Sequence, residues 1–303
     1  MKVLLTGAAG QLGTELYPLL TELGEVMAVD LAATHALAKN YRQLDLGDSG
    51  ALEIMLNRLQ PDLVVNAAAF TAVDKAEKEL ELAFRINAKV PGRIARWASQ
   101  NDCALLHYST DYVFDGKTDR PYKESDQPSP QNIYGDSKLA GESAIQASGC
   151  QHLIIRTSWV YSGHGSNFVL SMLTLARQHL ELSVVDDQFG CPTWARNLAR
   201  ASAHLIRSGM EPGSVGNGNI YNYCDADRTS WYDFAQMVFK TAVELNLLDK
   251  VPSLKRVSSG DYPQIATRPQ YSVLDTLAIR EAGFEPANLA DSLLECMMEF
   301  EHE

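Results

Sequence analysis

The chain has few cysteines, and their pattern is unlike that of a disulfide or metal framework. There are five, widely spaced and without a C-x-x-C pair, so we expect free buried thiols, no disulfide and no zinc site. Long apolar runs are also missing, since no segment approaches the roughly 18 uncharged apolar residues of a membrane span. The opening MKVLLTGAAG is too short for a signal peptide. We therefore expect a cytoplasmic protein whose chain begins directly with a strand.

Basic residues are scarce as well. The chain has 26 Lys and Arg against 38 Asp and Glu, a net charge of -12, which argues against a general affinity for nucleic acid or an anionic membrane. An anionic ligand would need local arginines, lysines or helix ends. With 303 residues, 46% of them hydrophobic, the chain is long enough for a large core in one domain or two.

Apolar runs alternate with helical stretches up to about residue 160. The runs KVLLTG, EVMAVD, DLVVNAAA and CALLHYST show little polar alternation, which is typical of parallel strands covered on both faces. Right-handed crossovers between such strands predict a Rossmann-type, doubly wound α/β fold. After Tyr161 the alternation loosens, which predicts a smaller, mixed C-terminal lobe.

A glycine-rich segment, TGAAGQLG, lies between the first predicted strand and a helix. Gly7, Gly10 and Gly13 would let the backbone turn tightly and approach a pyrophosphate, which the helix N-terminus can hold. Asp30 ends the second predicted strand, where an acid binds adenosine ribose hydroxyls in dinucleotide folds and disfavours the extra phosphate of NADP. Asp45, in QLDLGD, could meet the adenine edge. The alternative for the glycine-rich segment is a plain strand–helix turn. The alternative for Asp30 is a surface carboxylate, and that for Asp45 is a helix-capping aspartate.

These patterns predict two units. The first is an NAD(P)-binding Rossmann domain over residues 1–165, to which residues 197–224 return. The second is a substrate-binding lobe made of residues 166–196 and 225–303. Substrate specificity would lie in this lobe, where the sequence pattern is hardest to interpret.

A tyrosine and a lysine lie four residues apart in IYGDSK, at the start of a predicted helix. Tyr134 and Lys138 would share one helix face. The cation would lower the pKa of Tyr134 from its usual value near ~10, so that the phenol can give a proton to a carbonyl that accepts hydride. Thr110, at the end of the strand in HYSTDYVFDG, could hydrogen-bond the same carbonyl. The Tyr/Lys spacing alone is common by chance, and the combination with Thr110 and the glycine segment carries the prediction.

Five segments resemble those of the extended short-chain dehydrogenase/reductases and, more narrowly, of the dTDP-4-dehydrorhamnose reductase family: TGAAGQLG, NAAAFTAVDKAE, HYSTDYVFDG, YGDSKLAGE and RTSWVY. The resemblance runs in order from residue 1 to about residue 200 and continues more weakly through SWYDFAQMVF and TRPQYSVLD. It implies reduction of the 4-keto group of dTDP-4-dehydro-β-L-rhamnose to dTDP-L-rhamnose. The cofactor would be NADPH or NADH, both of which the family accepts, and the partner would be this nucleotide sugar.

The resemblance also implies roles for individual residues. Thr110, Tyr134 and Lys138 would be the catalytic set. The implied cofactor contacts are Gly10, Gln11, Leu12, Asp30, Asp45, Leu46, Ala69, Thr71, Tyr134 and Lys138, and Gly7 of the glycine-rich segment is expected to join them. The implied sugar contacts are Thr110, Asp111 and Trp159.

Trp159, Asn167, Phe168 and Arg268 each have a second interpretation. Trp159 could pack on the apolar face of the sugar near its 6-methyl group, or be a core tryptophan. Asn167 and Phe168, in GSNF, resemble a family segment that lines the nucleotide pocket. Arg268, in ATRPQ, could hold the diphosphate with its bidentate fork. The alternatives for these last three are local capping and a surface ion pair.

Magnesium is doubtful for this chain. Some family members dimerise around a magnesium ion held by acidic side chains, and Glu15 matches one of those positions. Arg196, in CPTWARNLAR, falls at the position of another, and a cation there would repel a metal. We therefore predict no structural magnesium and no dimer built on it, although a homodimer of another kind stays open.

Two other functions compete with this interpretation. The first is a different NAD(P)-dependent reductase or epimerase that acts on a nucleotide sugar. The second is a non-catalytic regulatory subunit of the same fold. Such subunits tend to lose catalytic residues, whereas Thr110, Tyr134 and Lys138 are all present here.

Overall fold

Alternating strands and helices build the protein, and the computed structural model describes residues 1–33, 39–209 and 219–302. In this part of the chain the strands are β1 (Lys2–Thr6), β2 (Glu25–Asp30), β3 (Tyr41–Gln43), β4 (Leu63–Asn66), β5 (Ala104–Thr110), β6 (His152–Thr157), β7 (Val160–Tyr161), β8 (Glu181–Val185), β9 (Phe189–Gly190), β10 (Thr193–Trp194), β11 (Asn219–Asn222), β12 (Thr229–Ser230) and β13 (Ser253–Val257). The α-helices are α1 (Gln11–Thr21), α2 (Ser49–Leu59), α3 (Val73–Ala76), α4 (Leu80–Phe84), α5 (Val90–Gln100), α6 (Ile133–Ser148), α7 (Phe168–Gln178), α8 (Ala195–Gly209), α9 (Trp231–Glu244), α10 (Leu277–Glu281) and α11 (Leu289–Met298). A π-helical turn, Arg85–Lys89, joins α4 to α5, and short 3-10 turns follow β5 and α11.

Seven strands form one sheet in the order β11-β6-β5-β4-β1-β2-β3. Every neighbouring pair in it is parallel. The chain runs outward from β1 to β3 and then continues on the other side of β1 with β4, β5 and β6, so the predicted Rossmann-type, doubly wound α/β fold is confirmed. The winding direction reverses between β1 and β4, where the carboxyl ends of the strands leave a crevice for a ligand.

Apolar side chains cover both faces of this sheet. Along β1, Leu4 belongs to the cluster covered by α2, α5 and α6, and Leu5 belongs to the cluster covered by α1 and α8. Successive strand residues point to opposite faces, so a sheet covered on both sides needs continuous apolar runs. Both leucines are fully buried, and each such burial is worth about 1.5–3 kcal/mol.

A smaller unit surrounds a third apolar cluster. In it β8 pairs with β13, β9 with β12 and β7 with β10. Helices α7, α9 and α11 pack around the buried rings of Tyr161, Trp194 and Phe234. Segment 195–222 contributes to the large sheet unit instead, because α8 packs on α1 and β11 pairs with β6; residues 210–218 within it lie outside the described residues. Across all described residues, no helix is long and apolar enough to cross a membrane.

Candidate active site

The glycine-rich segment forms a tight cradle at the start of α1. Gly7 has a φ of +68°, and a Cβ there would lie 2.5 Å from the backbone nitrogen of Ala68. A Cβ on Gly13 would lie 2.1 Å from the carbonyl oxygen of Gly7. Gly10 is the N-cap of α1 and has no side chain to bond the first amides of the helix. The cradle therefore leaves backbone N–H groups for a phosphate, and it fits the diphosphate of the predicted dinucleotide.

The two predicted cofactor aspartates end up in different settings. Asp30, at the end of β2, accepts hydrogen bonds from Ala9 N at 2.9 Å and Ala32 N at 3.3 Å. Its carboxylate is thus fixed beside the glycine cradle, where a ribose would lie in this fold. Asp45 is exposed and accepts from Gly47 N at 2.7 Å, so it shapes its own loop.

Most of the other predicted cofactor contacts follow the switch-point strands or begin α1. Leu46 is buried, Leu12 and Ala69 are half-buried, and Thr71 is exposed. The loop after β4 is held in place by Asn87, whose side chain accepts from Phe70 N at 2.8 Å and donates to Phe70 O at 3.0 Å. This pairing holds the backbone of Phe70, the residue between Ala69 and Thr71, and so positions its two neighbours.

Tyr134 lies in the first turn of α6, and three contacts fix that turn. Asn132 caps the helix by accepting from Gly135 N at 2.8 Å, and it donates to Thr267 O at 2.7 Å. A Cβ on Gly135 would lie 2.2 Å from the carbonyl oxygen of Tyr112, so only glycine allows this close approach. The helix therefore starts directly against the end of β5, which brings Tyr134 to Thr110.

The pKa of Tyr134 shifts in the opposite direction to our prediction. Burial raises its pKa to about 12, and a hydrogen bond with Thr110 offsets this only in part. We predicted that Lys138 would lower this pKa, but its ammonium is directed elsewhere: Nζ donates to Tyr108 O at 2.5 Å and contacts His107 Nε2 at 3.4 Å. Burial also lowers the pKa of Lys138 to about 8. At neutral pH the phenol of Tyr134 is therefore protonated, which is the form that a proton donor needs.

The buried carboxyl group of Asp111 lies beside the hydroxyl of Thr110. Thr110 Oγ1 donates to Asp111 Oδ1 at 2.9 Å and accepts from Tyr112 N at 3.2 Å. Burial raises the pKa of Asp111 to about 7, and hydrogen bonds to the carboxylate offset this only in part. Thr110 Oγ1 is thereby held in place from two sides.

Trp159 stands in a slot between the two units. Its ring stacks on Trp231 with centroids 3.4 Å apart and planes 5° apart. A Cβ on Gly190 would lie 2.5 Å from its Cε2, so the ring lies flat against that backbone. Trp159 has a φ of +48°, a conformation that costs a side-chain-bearing residue about 1–2 kcal/mol. The half-buried ring is thus held in one orientation, as its predicted contact with a sugar face would require.

Asn167 and Phe168 have structural contacts that account for them locally. Asn167 caps α7 by accepting from Leu170 N at 3.1 Å, and its amide donates to Gln11 Oε1 at 3.0 Å. Phe168 packs on Trp231 with centroids 4.6 Å apart. Asn167 thus follows the capping alternative, while it also ties the second unit to Gln11 of the glycine cradle. Their predicted substrate contacts stay predictions.

Arg268 lies one aromatic ring away from Tyr134. Its guanidinium donates to Asp74 at 2.8 Å and to Gln264 at 3.0 Å, so the ion-pair alternative describes its present contacts. Burial raises the pKa of Tyr112, and the Arg268 charge opposes this rise. Tyr112 in turn meets Tyr134 edge to face, with centroids 5.8 Å apart. Arg268 therefore borders the site, and its predicted contact with a diphosphate stays a prediction.

Several side chains of the site region had no predicted role. Asn132 had a readable signal, since an asparagine before the first turn of a helix is a typical N-cap. Asn66, His107 and Trp231 reach the site through strand register and packing between distant segments, for which the sequence offered no spacing signal.

A doubly wound sheet with a glycine cradle at its switch point, and a Tyr/Lys pair on the helix beside a strand-end threonine, defines an extended short-chain dehydrogenase/reductase. Residues 1–302 match the family described as the RmlD substrate binding domain. The dTDP-4-dehydrorhamnose reductase of Escherichia coli K12 is 42% identical over 276 residues, which are 91% of this chain and 90% of that protein. The chain belongs to the dTDP-4-dehydrorhamnose reductase family.

Solved structures agree with this assignment. The crystal structure of a dTDP-4-dehydrorhamnose reductase from Clostridium acetobutylicum matches with a TM-score of 0.87 at 34% identity, over 99% of this chain and 100% of that one. A dTDP-4-dehydrorhamnose reductase from Bacillus anthracis, solved in complex with NADP, matches with a TM-score of 0.87 at 31% identity, over 98% and 99% of the two chains.

Proposed function

We propose that this protein reduces the 4-keto group of dTDP-4-dehydro-β-L-rhamnose to give dTDP-L-rhamnose, the last step in the synthesis of that nucleotide sugar. The observation that carries the proposal is the meeting of a protonated Tyr134 with the hydroxyl of Thr110 at the strand ends. The glycine cradle beside them fits a dinucleotide. The activity named for the relatives agrees with this arrangement.

Each side chain of the site has a part in the proposed reaction. The reduced nicotinamide supplies the hydride for C4. Tyr134 gives its proton to the developing C4 alkoxide, and Thr110 turns its hydroxyl hydrogen from Asp111 to the same oxygen. Lys138 binds the nicotinamide ribose with the ammonium hydrogen that is not directed to β5. Trp159 packs on the apolar face of the sugar near its methyl group.

The remaining contacts belong to the nucleotide ends of the two ligands. Asp30 holds the adenosine ribose, and its negative charge favours NADH, although the Bacillus anthracis relative was solved with NADP. We therefore keep both cofactors in the proposal. Arg268 would turn from Asp74 to the diphosphate, and Asn167 and Phe168 would border the nucleotide pocket.

The domain division and the location of the protein are part of the same proposal. Residues 1–165 and 197–224 would bind the cofactor, and residues 166–196 and 225–303 would bind the sugar nucleotide. The position of β11 in the large sheet supports the return of the second segment. The five cysteines are free and buried, which supports a reducing, cytoplasmic environment.

The first experiment supplies purified protein with dTDP-4-dehydro-β-L-rhamnose and either NADPH or NADH. We expect loss of the reduced-nicotinamide absorbance and formation of dTDP-L-rhamnose, identified by mass and NMR, and the two values of kcat/KM give the cofactor preference. dTDP-glucose, which has no keto group, is the matched control and should give no oxidation. Dinucleotide binding without any turnover of the keto sugar would reject the proposed substrate.

The contacts of Arg196 support the proposal that this protein holds no structural magnesium ion. Its guanidinium pairs with Glu15 at 2.8 Å and also with Glu299, and it lies over the ring of Trp194 at 4.7 Å. The two carboxylates thus already share one internal cation. Within the described residues, no group of three or more His, Cys, Asp or Glu could hold a metal ion.

We accordingly predict that magnesium leaves the mass of the protein in solution unchanged, as light scattering during a titration would measure. Arg196→Glu is the informative variant, because it replaces the cation between Glu15 and Glu299 with a third carboxylate. This variant should bind magnesium or manganese in calorimetry. A mass that rises with magnesium in the unaltered protein would contradict the prediction.

A further inference from the structure

A row of buried polar side chains crosses the centre of the large sheet. Thr6, Asn66 and His107 are register partners on the adjacent strands β1, β4 and β5. Thr6 Oγ1 lies 2.6 Å from Asn66 Oδ1, and Asn66 Nδ2 lies 2.9 Å from His107 Nδ1. All three residues are almost fully buried. Burying three polar groups among apolar neighbours costs free energy unless they form hydrogen bonds with one another. The hydrogen bonds within the row therefore hold it together as one unit.

The row begins at the cofactor cradle and ends at Lys138. Thr6 directly precedes Gly7, the first glycine of the cradle. At the other end, His107 Nε2 lies 3.4 Å from Lys138 Nζ, which also donates to Tyr108 O at 2.5 Å. Two of the three ammonium hydrogens of Lys138 can therefore be directed to β5, which leaves the third for the crevice.

His107 is neutral in this environment. Burial, and secondly the charge of Lys138, hold its pKa well below the usual value. A neutral imidazole carries one N–H and has one acceptor nitrogen, so the neighbours decide which nitrogen has the proton.

The ammonium of Lys138 decides this choice. It has only hydrogens to offer, so a favourable contact needs the lone pair of His107 on Nε2 and its proton on Nδ1. An Nδ1–H needs an acceptor, which Asn66 provides when its amide is turned by 180°. That turn exchanges the oxygen and nitrogen and leaves the heavy-atom positions of the row unchanged. The Asn66 amide then donates to Thr6 Oγ1.

We propose that His107 is a positioning residue for the reaction. Its Nε2 accepts a hydrogen bond from Lys138, and the Thr6–Asn66 pair holds the ring in the Nδ1–H tautomer that makes this possible. The ammonium is thereby held on the side of the crevice where it would meet the nicotinamide ribose. This role rests on the proposed function for its kinetic part, whereas the tautomer and the cofactor affinity can be measured without any sugar substrate.

The tautomer is measured directly in the unaltered protein. Nitrogen NMR of protein labelled at its histidine rings distinguishes Nδ1–H from Nε2–H, and the loss of one ring signal in His107→Gln assigns the resonance. We expect Nδ1–H at neutral pH, with and without NADP⁺. A proton on Nε2, which would face the ammonium of Lys138, overturns the proposal whatever the protein turns out to reduce.

Two amide variants distinguish a positioning role of His107 from a purely structural one. In His107→Gln the side chain can place an acceptor near the former Nε2 and keep the bond to Lys138. In His107→Asn the amide lies only near the former Nδ1, where its N–H can donate to Asn66 as Nδ1–H does, so the bond to Asn66 is kept and that to Lys138 is lost. His107→Asn should lower kcat by about 10- to 100-fold, since small misplacements of catalytic groups have effects of this size, and should weaken NADPH binding several-fold.

His107→Gln should stay within a few-fold of the unaltered protein in both kcat and the dissociation constant of NADPH. The KM for the sugar should change little in either variant, because His107 acts through Lys138. Equal losses in the two variants, or an unchanged kcat and NADPH affinity in His107→Asn, would overturn the proposal. If one variant fails to fold, the tautomer measurement still tests it.

Discussion

Tyr134→Phe is expected to lower kcat by about 10²- to 10⁴-fold, the usual contribution of a positioned proton donor. The change removes the phenol oxygen and its hydrogen bond with Thr110 from a half-buried ring, and it keeps the edge-to-face contact with Tyr112. Binding of NADPH and the melting temperature should therefore change little. Steady-state kinetics, NADPH fluorescence titration and thermal melting measure the three quantities.

Tyr108→Phe is the matched control for Tyr134→Phe. It removes the buried phenol oxygen of Tyr108 on β5, which donates to Ser202 at 2.7 Å among the residues covered by α1 and α8. This variant should cost about 1 kcal/mol of stability, as for a typical lost hydrogen bond, and leave kcat nearly unchanged. A kcat for Tyr134→Phe within tenfold of the unaltered protein would mean that another group gives the proton.

The sheet and the cofactor cradle could be predicted because their signals are local. Apolar runs with little alternation indicate strands covered on both faces, and three glycines between a strand and a helix indicate a phosphate cradle. The Tyr134–Lys138 spacing likewise predicts a shared helix face. What spacing cannot give is the direction of a long side chain, and Lys138 Nζ turned to the carbonyl of Tyr108. The pKa prediction for Tyr134 was wrong for that reason.

Contacts between distant segments could not be predicted from one sequence. His107 stands beside Asn66 only through the register of β4 and β5, and Trp159 meets Trp231 only through packing of the two units. A single sequence also does not distinguish an arginine that binds a ligand from one that forms an internal ion pair. Arg268 on Asp74 shows the second arrangement, and only a ligand-bound measurement would show the first.

Arg156→Met is expected to lower the free energy of unfolding by about 3–5 kcal/mol, because it leaves a buried carboxylate without its partner. Arg156 on β6 donates to both oxygens of Glu142 on α6, at 3.0 and 2.7 Å. The two side chains are only 3% and 2% exposed. For a chain of this length the melting temperature should fall by roughly 10 °C, as differential scanning fluorimetry would measure.

Arg120→Met is the control for the loss of an arginine from an ion pair. Arg120 pairs with Asp126 at 2.8 Å with its side chain 54% exposed, so its loss should leave the melting temperature nearly unchanged. Solvent can satisfy the remaining carboxylate there, whereas it cannot reach Glu142.

The double variant Glu142→Leu with Arg156→Met tests the physical reason. If the unpaired charge causes the loss, removing both partners should restore much of the stability, since two apolar side chains can replace a buried ion pair at little cost. A double variant as unstable as Arg156→Met would instead assign the loss to the other contacts of Arg156, its bond to Glu124 O and its packing on Phe114.

Glu142 lies one turn beyond Lys138 on the helix that also carries Tyr134. A double variant that recovers its melting temperature but not its kcat would therefore show that the ion pair also aligns α6 for the reaction.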